Sequence, residues 1–337
     1  AMRVLFCTNA QSFSEATEPH DFYEGIRSLG HEVEVFFYRR KSFLYSNFRR
    51  AWVRWMNRRL LEKARGFDLL LVHRGGYVEA AAIERIRRES RCRCVCFFPD
   101  NPFGSSSSPG LSFPQIAAYD LFAVKDTYFA EELRLAGFGN AVFLPHAYDP
   151  ATYERDFPEE ELRPYRADVA FIGSHYGFRE TFFSGLTEEG VDFKIWGPGW
   201  EAASDPWVRA RIMGRGVWEE EKLKVIRASK ILLDIQNAGN SIHCCDCKTM
   251  SFIGAGAFFI TNHKRDMDMM FRTGEEIVTF RSREELQALI RHYLADEAAR
   301  AAIAARGRER ARRDHATSVR FRQILDILKE RGIPAGG

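Results

Sequence analysis

An α/β fold of two doubly wound domains is predicted by three features of this chain of 337 residues. Short apolar runs alternate with helix-length segments through both halves, the pattern of parallel strands joined by crossover helices. A stretch rich in proline and charge, 145–166 (PHAYDPATYERDFPEEELRPYR), interrupts that alternation as a domain linker does. Residues 248–261 (KTMSFIGAGAFFIT) run from a helix through Gly-Ala-Gly into a buried strand, the order that sets a helix over the end of a parallel strand. The length agrees, because one core seldom grows past roughly 250–300 residues.

In the first half, apolar runs predict strands at 3–7, 32–38, 68–72, 94–98, 121–125 and 141–144. Helices are expected at 21–29, 46–65 and 127–136. The second of these places Phe48, Trp52, Trp55, Met56 and Leu60 on one face at helical spacing. The second half restarts with strands at 168–172, 192–196, 231–235, 257–261 and 276–280. Its helices are expected at 179–188, 218–228 and 283–296, with a basic helical tail over about 297–330. Two such domains form a cleft, and ligands bind beyond the carboxyl ends of the strands. Functional residues are therefore sought in the loops that follow strands.

Composition narrows the function. Hydrophobic content of 45% and aromatic content of 13% argue against disorder, and a net charge of +3 is no nucleic-acid signature. No run approaches the roughly 18 apolar residues of a membrane span. Residues 2–8 read as a first strand rather than a secretory signal, and the seven cysteines are an odd number, so a cytoplasmic, reducing setting is expected. The first strand runs into Cys7-Thr8-Asn9-Ala10-Gln11 without a glycine, and no phosphate loop of the GxxxxGK type occurs. Dinucleotide and P-loop readings are thereby disfavoured.

The second half carries the strongest candidates. In 168–179 (DVAFIGSHYGFR) a buried strand runs into Gly173-Ser174, where glycine lets a ligand approach the backbone. Arg179 follows in the first turn of a helix, placed to pair with a diphosphate; the plain alternative is a turn and a solvated charge. At 194–200 (KIWGPGW) a strand ends in Trp196-Gly197, a stacking platform for a nucleobase or a packed ring. The polar loop 234–246 (DIQNAGNSIHCCD) leads into the helix of 248–261, whose N-terminus is the best phosphate position in the chain. Asn240, Ser241 and the amides near 245–248 are its candidates, with Lys248 as an added point charge.

Several segments recur in a characteristic order: Phe171-Ile172-Gly173-Ser174 with Arg179, Ile195-Trp196-Gly197 with Trp200, Ser229-Lys230-Ile231 with Asp234, and 254–261. They continue through Gly274-Glu275-Glu276-Ile277-Val278, Glu284-Glu285-Leu286, Ile303-Ala304, Gly307, His315-Ala316-Thr317 and Arg320. Asp100-Asn101-Pro102, Lys125-Asp126 and Leu144-Pro145-His146 join them from the first half. In this order the chain resembles the CgeB-like (spore-maturation type) glycosyltransferases. The resemblance implies a GT-B fold of two Rossmann-like domains facing across a cleft: an acceptor domain at 1–150, a nucleotide-sugar domain at 165–315, and a helix at 316–337 crossing back to the first. It implies a UDP-, GDP- or dTDP-sugar as donor substrate, an acceptor hydroxyl on a glycan, protein or small molecule, and neither cofactor nor metal. Arg179, the loop 240–248, Gly254 and Gly256 would hold the diphosphate, with Trp196 and Gly197 near the base or sugar and closure about 145–166 excluding water. One position departs from the pattern. Where the family commonly has Arg-x-Phe-Glu, with the glutamate on the donor ribose, this chain reads Lys248-Thr249-Met250-Ser251.

An inverting transfer needs a base for the acceptor hydroxyl, whereas a retaining one does not. Asp100, after the strand at 94–98, ranks first; His20, in the loop after strand one, second; His146, near the linker, third. Their plain readings are a turn former for Asp100, a helix cap for neighbouring Asp21 and a linker residue for His146. Asp266-Met267-Asp268 and the Cys/His cluster at 243–247 are weak metal motifs, and Cys92, Cys94 and Cys96 read as small buried residues on one strand face. Residues 39–65 hold ten Lys/Arg against Glu62, a solvated basic face or a weak peripheral membrane contact. Two other readings stay open: a non-catalytic carbohydrate- or nucleotide-binding assembly protein, favoured by Ser251, and a GT-B sugar-nucleotide epimerase.

Overall fold

The computed structural model describes residues 1–39, 43–104, 111–186 and 190–335; the expected helix end at 187–188 lies outside the described residues. The chain forms two compact units. Unit 1 comprises Ala1–Ala147, Ala238–Cys244 and Thr317–Gly337, and unit 2 comprises Tyr148–Asn237 and Cys245–Ala316.

Unit 1 runs β1 (Arg3–Thr8), α1 (Glu18–Arg27), β2 (Glu32–Phe37), α2 (Phe43–Asn47), α3 (Arg49–Ala64), β3 (Leu69–His73), α4 (Ala80–Glu89), β4 (Arg93–Phe98), α5 (Phe113–Ala118), β5 (Leu121–Val124), α6 (Thr127–Leu135) and β6 (Ala141–Phe143). Its parallel sheet has the order β2-β1-β3-β4-β5-β6. Both faces are covered. Trp52, Met56 and Leu60 of α3 pack on one, together with Cys94, Cys96 and Phe98 of β4. Val95 and Phe97, the alternate residues of β4, face the other side with Phe22 and Ile26 of α1. The cysteines are thus small buried core residues, and burial pushes the Cys7 and Cys96 thiols up. All seven cysteines are in the thiol form.

Two local expectations are corrected. The single helix over 46–65 is broken at Phe48, whose backbone (φ −132°, ψ 56°) is not helical, so α2 and α3 are separate, and Phe48 and Trp55 are exposed rather than sharing the buried face of Trp52, Met56 and Leu60. His20 and Asp21 are not in a loop. Thr17 takes the N-cap position and α1 starts at Glu18, because Pro19 at the second helical position is pre-set for a helix start. Asp21 is buried inside the helix rather than capping it.

Unit 2 runs α7 (Pro150–Tyr153), α8 (Glu159–Leu162), β7 (Ala167–Ile172), α9 (Gly177–Phe183), β8 (Phe193–Trp196), α10 (Pro206–Arg209), α11 (Glu219–Ala228), β9 (Ser229–Asp234), α12 (Cys247–Gly254), β10 (Phe259–Asn262), α13 (Met267–Met270), β11 (Val278–Phe280), α14 (Arg283–Ala295) and α15 (Glu297–Asp314). Its parallel sheet has the order β11-β10-β9-β7-β8. The last helix, α16 (Thr317–Glu330), belongs to unit 1, where Phe321, Ile324 and Leu328 pack with Phe22 and Ile26. Among the described residues no helix is long and apolar enough to cross a membrane.

The glycines of 248–261 terminate α12. Gly256 takes φ +82°, its N–H bonds to Ile253 O (2.9 Å), and Ala257 N–H reaches Phe252 O (3.1 Å). This is a Schellman cap, which needs a left-handed residue. It delays the strand to Phe259, two residues later than expected. Gly254 lets α12 touch the Tyr148 ring: a Cβ there would lie 2.3–2.6 Å from three ring carbons. Alanine gains at most about 1 kcal/mol of helix propensity, but overpacking against a buried ring costs about 1–3 kcal/mol. Gly254→Ala is therefore expected to lower the urea midpoint of unit 2, and a raised midpoint would refute the contact.

Candidate functional site

Doubly wound sheets bind ligands where the winding reverses, beyond the carboxyl ends of two adjacent strands. The strand orders put that point between β1 and β3 in unit 1 and between β7 and β9 in unit 2. Charged side chains gather at both.

In unit 2 the focus is Asp234, the fully buried last residue of β9. The Lys248 Nζ lies 2.5 Å from Asp234 Oδ1, 3.5 Å from Asp246 Oδ2 and 3.4 Å from the main-chain oxygen of Ile172, the last residue of β7. Lys248 occupies the first turn of α12 because Asp246 caps that helix, Oδ1 accepting from Lys248 N–H (3.0 Å). Gln236 braces the same edge: its Oε1 accepts from Asp246 N–H and its Nε2 donates to Thr249 and Thr261. Burial pushes the Asp234 carboxyl up, with Lys248 only partly offsetting it. Burial opposes charge on Lys248 as well, but Asp234 and Asp246 outweigh it and hold the ammonium above its ordinary value. The Lys248 side chain keeps 21% of its surface open, and Asp234 Oδ2 has no hydrogen-bond partner. A partly exposed ammonium, paired with two carboxylates, thus stands at the reversal point.

Arg179 lies at the same place but is already committed. It is buried; Nε and Nη2 donate to Ile235 O (3.0 and 2.8 Å), and Nη1 donates to Ser174 O (2.9 Å). It ties the loop after β7 to the loop after β9 and leans on Asp234 at 3.7 Å. Gly173 and Gly197 let the loops after β7 and β8 meet, since a Cβ on Gly197 would fall 2.0 Å from Gly173 O. Trp196 and Trp200 are both buried. Trp200 Nε1 donates to Gly173 O (2.8 Å), whereas the Trp196 N–H has no acceptor. Gly254 and Gly256 sit at the far end of α12 from Lys248, where they end the helix. Ser251 is buried, and its hydroxyl donates back to Lys248 O (3.1 Å).

The other candidates group in unit 1. Asn240 Nδ2 donates to Asp100 Oδ1 (3.2 Å), and its Oδ1 accepts from Asn101 N–H (2.6 Å). Buried Lys125 donates to Ser241 Oγ (2.9 Å). Buried Asp126 caps α6 through Oδ1, and its Oδ2 accepts from the amides of Ile242, His243 and Cys244, each at 2.9 Å. Amides of the loop expected for phosphate are thus engaged by protein carboxylates, Asp126 on 242–244 and Asp246 on Lys248. Asp100 is also paired with Arg74, which adopts φ +71° ahead of Gly75. A non-glycine residue in that region stores strain and clusters at functional sites.

At the β1/β3 reversal lies a group the sequence reading missed. Glu18, with 9% of its side chain exposed, accepts from Nε2 of His73 (2.8 Å) and from Nδ1 of His146. Burial would push the Glu18 carboxyl up, but the two imidazoles outweigh it and hold it well below the usual carboxylate range. The shared acceptor sets the tautomers: among the described residues, Nδ1 of His73 is buried without a hydrogen-bond partner and Nε2 of His146 makes no hydrogen bond. His73 was visible as a polar residue ending the apolar run LLLV, followed by Arg-Gly-Gly. Glu18 carried no such signal. His20 lies on α1 with its ring edge on Phe13 and Nδ1 buried without a partner. Asp266 is buried, and Asp268 pairs with His263 (3.2 Å). Among the described residues no His, Cys, Asp or Glu cluster is arranged to hold a metal.

Two parallel-sheet Rossmann-like domains of this kind define the GT-B fold, and the chain matches solved glycosyltransferases of that fold. Residues 179–326, spanning Arg179, Asp234 and Lys248, match the model of a family described as glycosyl transferase-like. HepE of Anabaena in complex with UDP-glucose is similar at TM-score 0.63 and 11% identity over 98% of this chain and 100% of that one. Sucrose-phosphate synthase of Thermosynechococcus elongatus is similar at TM-score 0.66 and 11% identity over 98% and 100%. AviGT4, a glycosyltransferase involved in avilamycin A biosynthesis, is similar at 0.62 and 14% over 98% of each chain. A comparison with curated proteins finds no match.

Proposed function

We propose that this protein is a CgeB-like GT-B glycosyltransferase that moves a sugar from a nucleotide-sugar to an acceptor hydroxyl without a metal or cofactor. The observation that carries the reading is Lys248 at the β7/β9 reversal, inside the segment that matches the glycosyl transferase-like family. The ammonium would stabilise the leaving diphosphate. Residues 165–315 would serve as the donor domain and 1–150, joined by 316–337, as the acceptor domain. HepE binding UDP-glucose supports a uridine donor first. If the transfer inverts, His146 is the base best prepared among the three candidates: Asp100 is paired with Arg74 and Asn240, and His20 is packed on Phe13.

A thermal-shift panel of UDP, GDP, CDP and dTDP with their sugars tests the reading. One nucleotide series should stabilise the protein, by about 2.7 kcal/mol at a hundredfold excess over Kd. No stabilisation by any of them refutes a donor site. Slow donor hydrolysis without acceptor favours transfer over a scaffold role, and free interconversion of the donor sugar favours an epimerase. In the same assay Ser251→Glu should tighten the responsive nucleotide if the ribose lies over α12. Unchanged binding would mean that the ribose is held elsewhere.

A further inference from the structure

The outer face of α3 is built unlike the rest of unit 1. It carries Arg50, Arg54, Arg58 and Arg59 against one acid of the helix, Glu62, while Arg49 lies over the Tyr45 ring and Lys63 pairs with Glu34. Two large aromatics stand out beside them, Phe48 with 56% and Trp55 with 50% of its surface exposed. Trp55 lies on the helix and Phe48 at its N-cap, seven residues before it. The Arg59 guanidinium lies 5.2 Å over the Trp55 ring, which places a cation beside an exposed indole. Between α3 and α4 opens a cleft of about 590 Å³ lined by Arg54, Arg58, Arg65 and Arg85, with Glu62 and Glu79 at its walls. Glu62 is taken by Arg58, and Glu89 by Arg65 and Arg85. Among the described residues, Arg50 and Arg54 have no carboxylate partner.

We propose that this face docks the protein on an anionic membrane surface. Trp55 and Phe48 enter the headgroup layer, and the arginine cleft takes the phosphate of an acidic lipid. A merely solvated helix face has no use for two exposed aromatics beside unpaired arginines. An interfacial helix has: indole rings favour the headgroup region, and each arginine adds attraction to anionic lipid within a Debye length. The chain would then carry out its chemistry next to a bilayer without any segment crossing it.

Vesicle sedimentation of the full chain decides this. Wild-type protein should pellet with phosphatidylcholine vesicles containing phosphatidylglycerol at low salt. It should stay in solution with pure phosphatidylcholine, or when about 0.5 M salt screens the charges. The pair Arg50→Glu with Arg54→Glu should weaken pelleting roughly 30-fold or more, and Trp55→Ser by a smaller factor. These exposed side chains leave the core untouched, so unchanged melting curves verify folding. Equal pelleting of wild type and variants, binding insensitive to salt, or no binding to anionic vesicles would each overturn the proposal. Nucleotide binding in unit 2 should be unaffected by these substitutions, so this test and the donor test fail independently.

Discussion

Lys248→Met is expected to lower the melting temperature on the order of 10 °C and to weaken nucleotide-sugar binding by about 10–100-fold. The first effect follows from Asp234. Its carboxylate is fully buried and keeps Lys248 Nζ 2.5 Å away, with Arg179 second at 3.7 Å. Removing one partner of a buried pair leaves a charge without compensation, at a cost of about 3–5 kcal/mol. For a unit of this size that is roughly 2–4 °C per kcal/mol. The sign with pH follows from the raised Asp234 carboxyl. A raised folded-state value means that stability is fully present below the unfolded value and is lost as pH rises through the folded one. Without Lys248 that value rises further, so the deficit of the variant should grow as pH rises above the unfolded carboxylate value near 3.9. The second effect is loss of a charge-assisted contact to the diphosphate, worth about 1.5–3 kcal/mol.

A second substitution separates the two roles. Lys248→Met with Asp234→Asn removes both charges, and such paired removal is often close to neutral for stability. The double variant should regain most of the lost melting temperature yet still bind nucleotide weakly. Calorimetric melting at two pH values and nucleotide titration of the three proteins read this out. If binding returns with stability, Lys248 is a structural residue alone and the donor site lies elsewhere.

These residues also show what a sequence can reveal. The two parallel sheets were legible because buried parallel strands are nearly continuous apolar runs, as in LLLV of β3 and KILLD of β9. Lys248 was legible because a helix start after a polar loop is a local pattern. The partners that define its chemistry were not. Asp234 ends an apolar strand and reads as an ordinary turn residue; only the adjacency of β7 and β9, strands separated in sequence by β8, brings Arg179 and Lys248 to it. Arg179 had the right position for a diphosphate, but its donors are consumed by main-chain carbonyls that no periodicity reports. Asn240 and Ser241 likewise sit in a loop whose composition suggested phosphate, while their partners Asp100 and Lys125 lie more than a hundred residues away. Helix starts failed where the rule used apolar spacing and ignored Pro19.

Glu18→Ala is expected to cost about 2–4 kcal/mol, because two buried imidazole N–H groups lose their acceptor together. Glu18→Gln should cost less, since its amide oxygen can still accept from one ring. The pH dependence has the opposite sign to that of Asp234. Glu18 is held well below the usual carboxylate range, so its contribution is present above the unfolded value near 4.3 and is lost as pH falls through the folded one. The gap between wild type and Glu18→Ala should therefore be complete at pH 7 and begin to close below about pH 4.3. Equal denaturant midpoints at pH 7 would mean that the three side chains do not share a proton network. Activity adds an independent readout. If His146 takes the acceptor proton, the carboxylate fixes the tautomer that leaves Nε2 as the accepting atom, so Glu18→Gln should lower kcat and leave the donor KM near its wild-type value. The product should then have the anomeric configuration opposite to the donor's. Retention with an unchanged kcat would leave Glu18 a folding element of the β1/β3 reversal, and the departing phosphate rather than His146 would receive the proton.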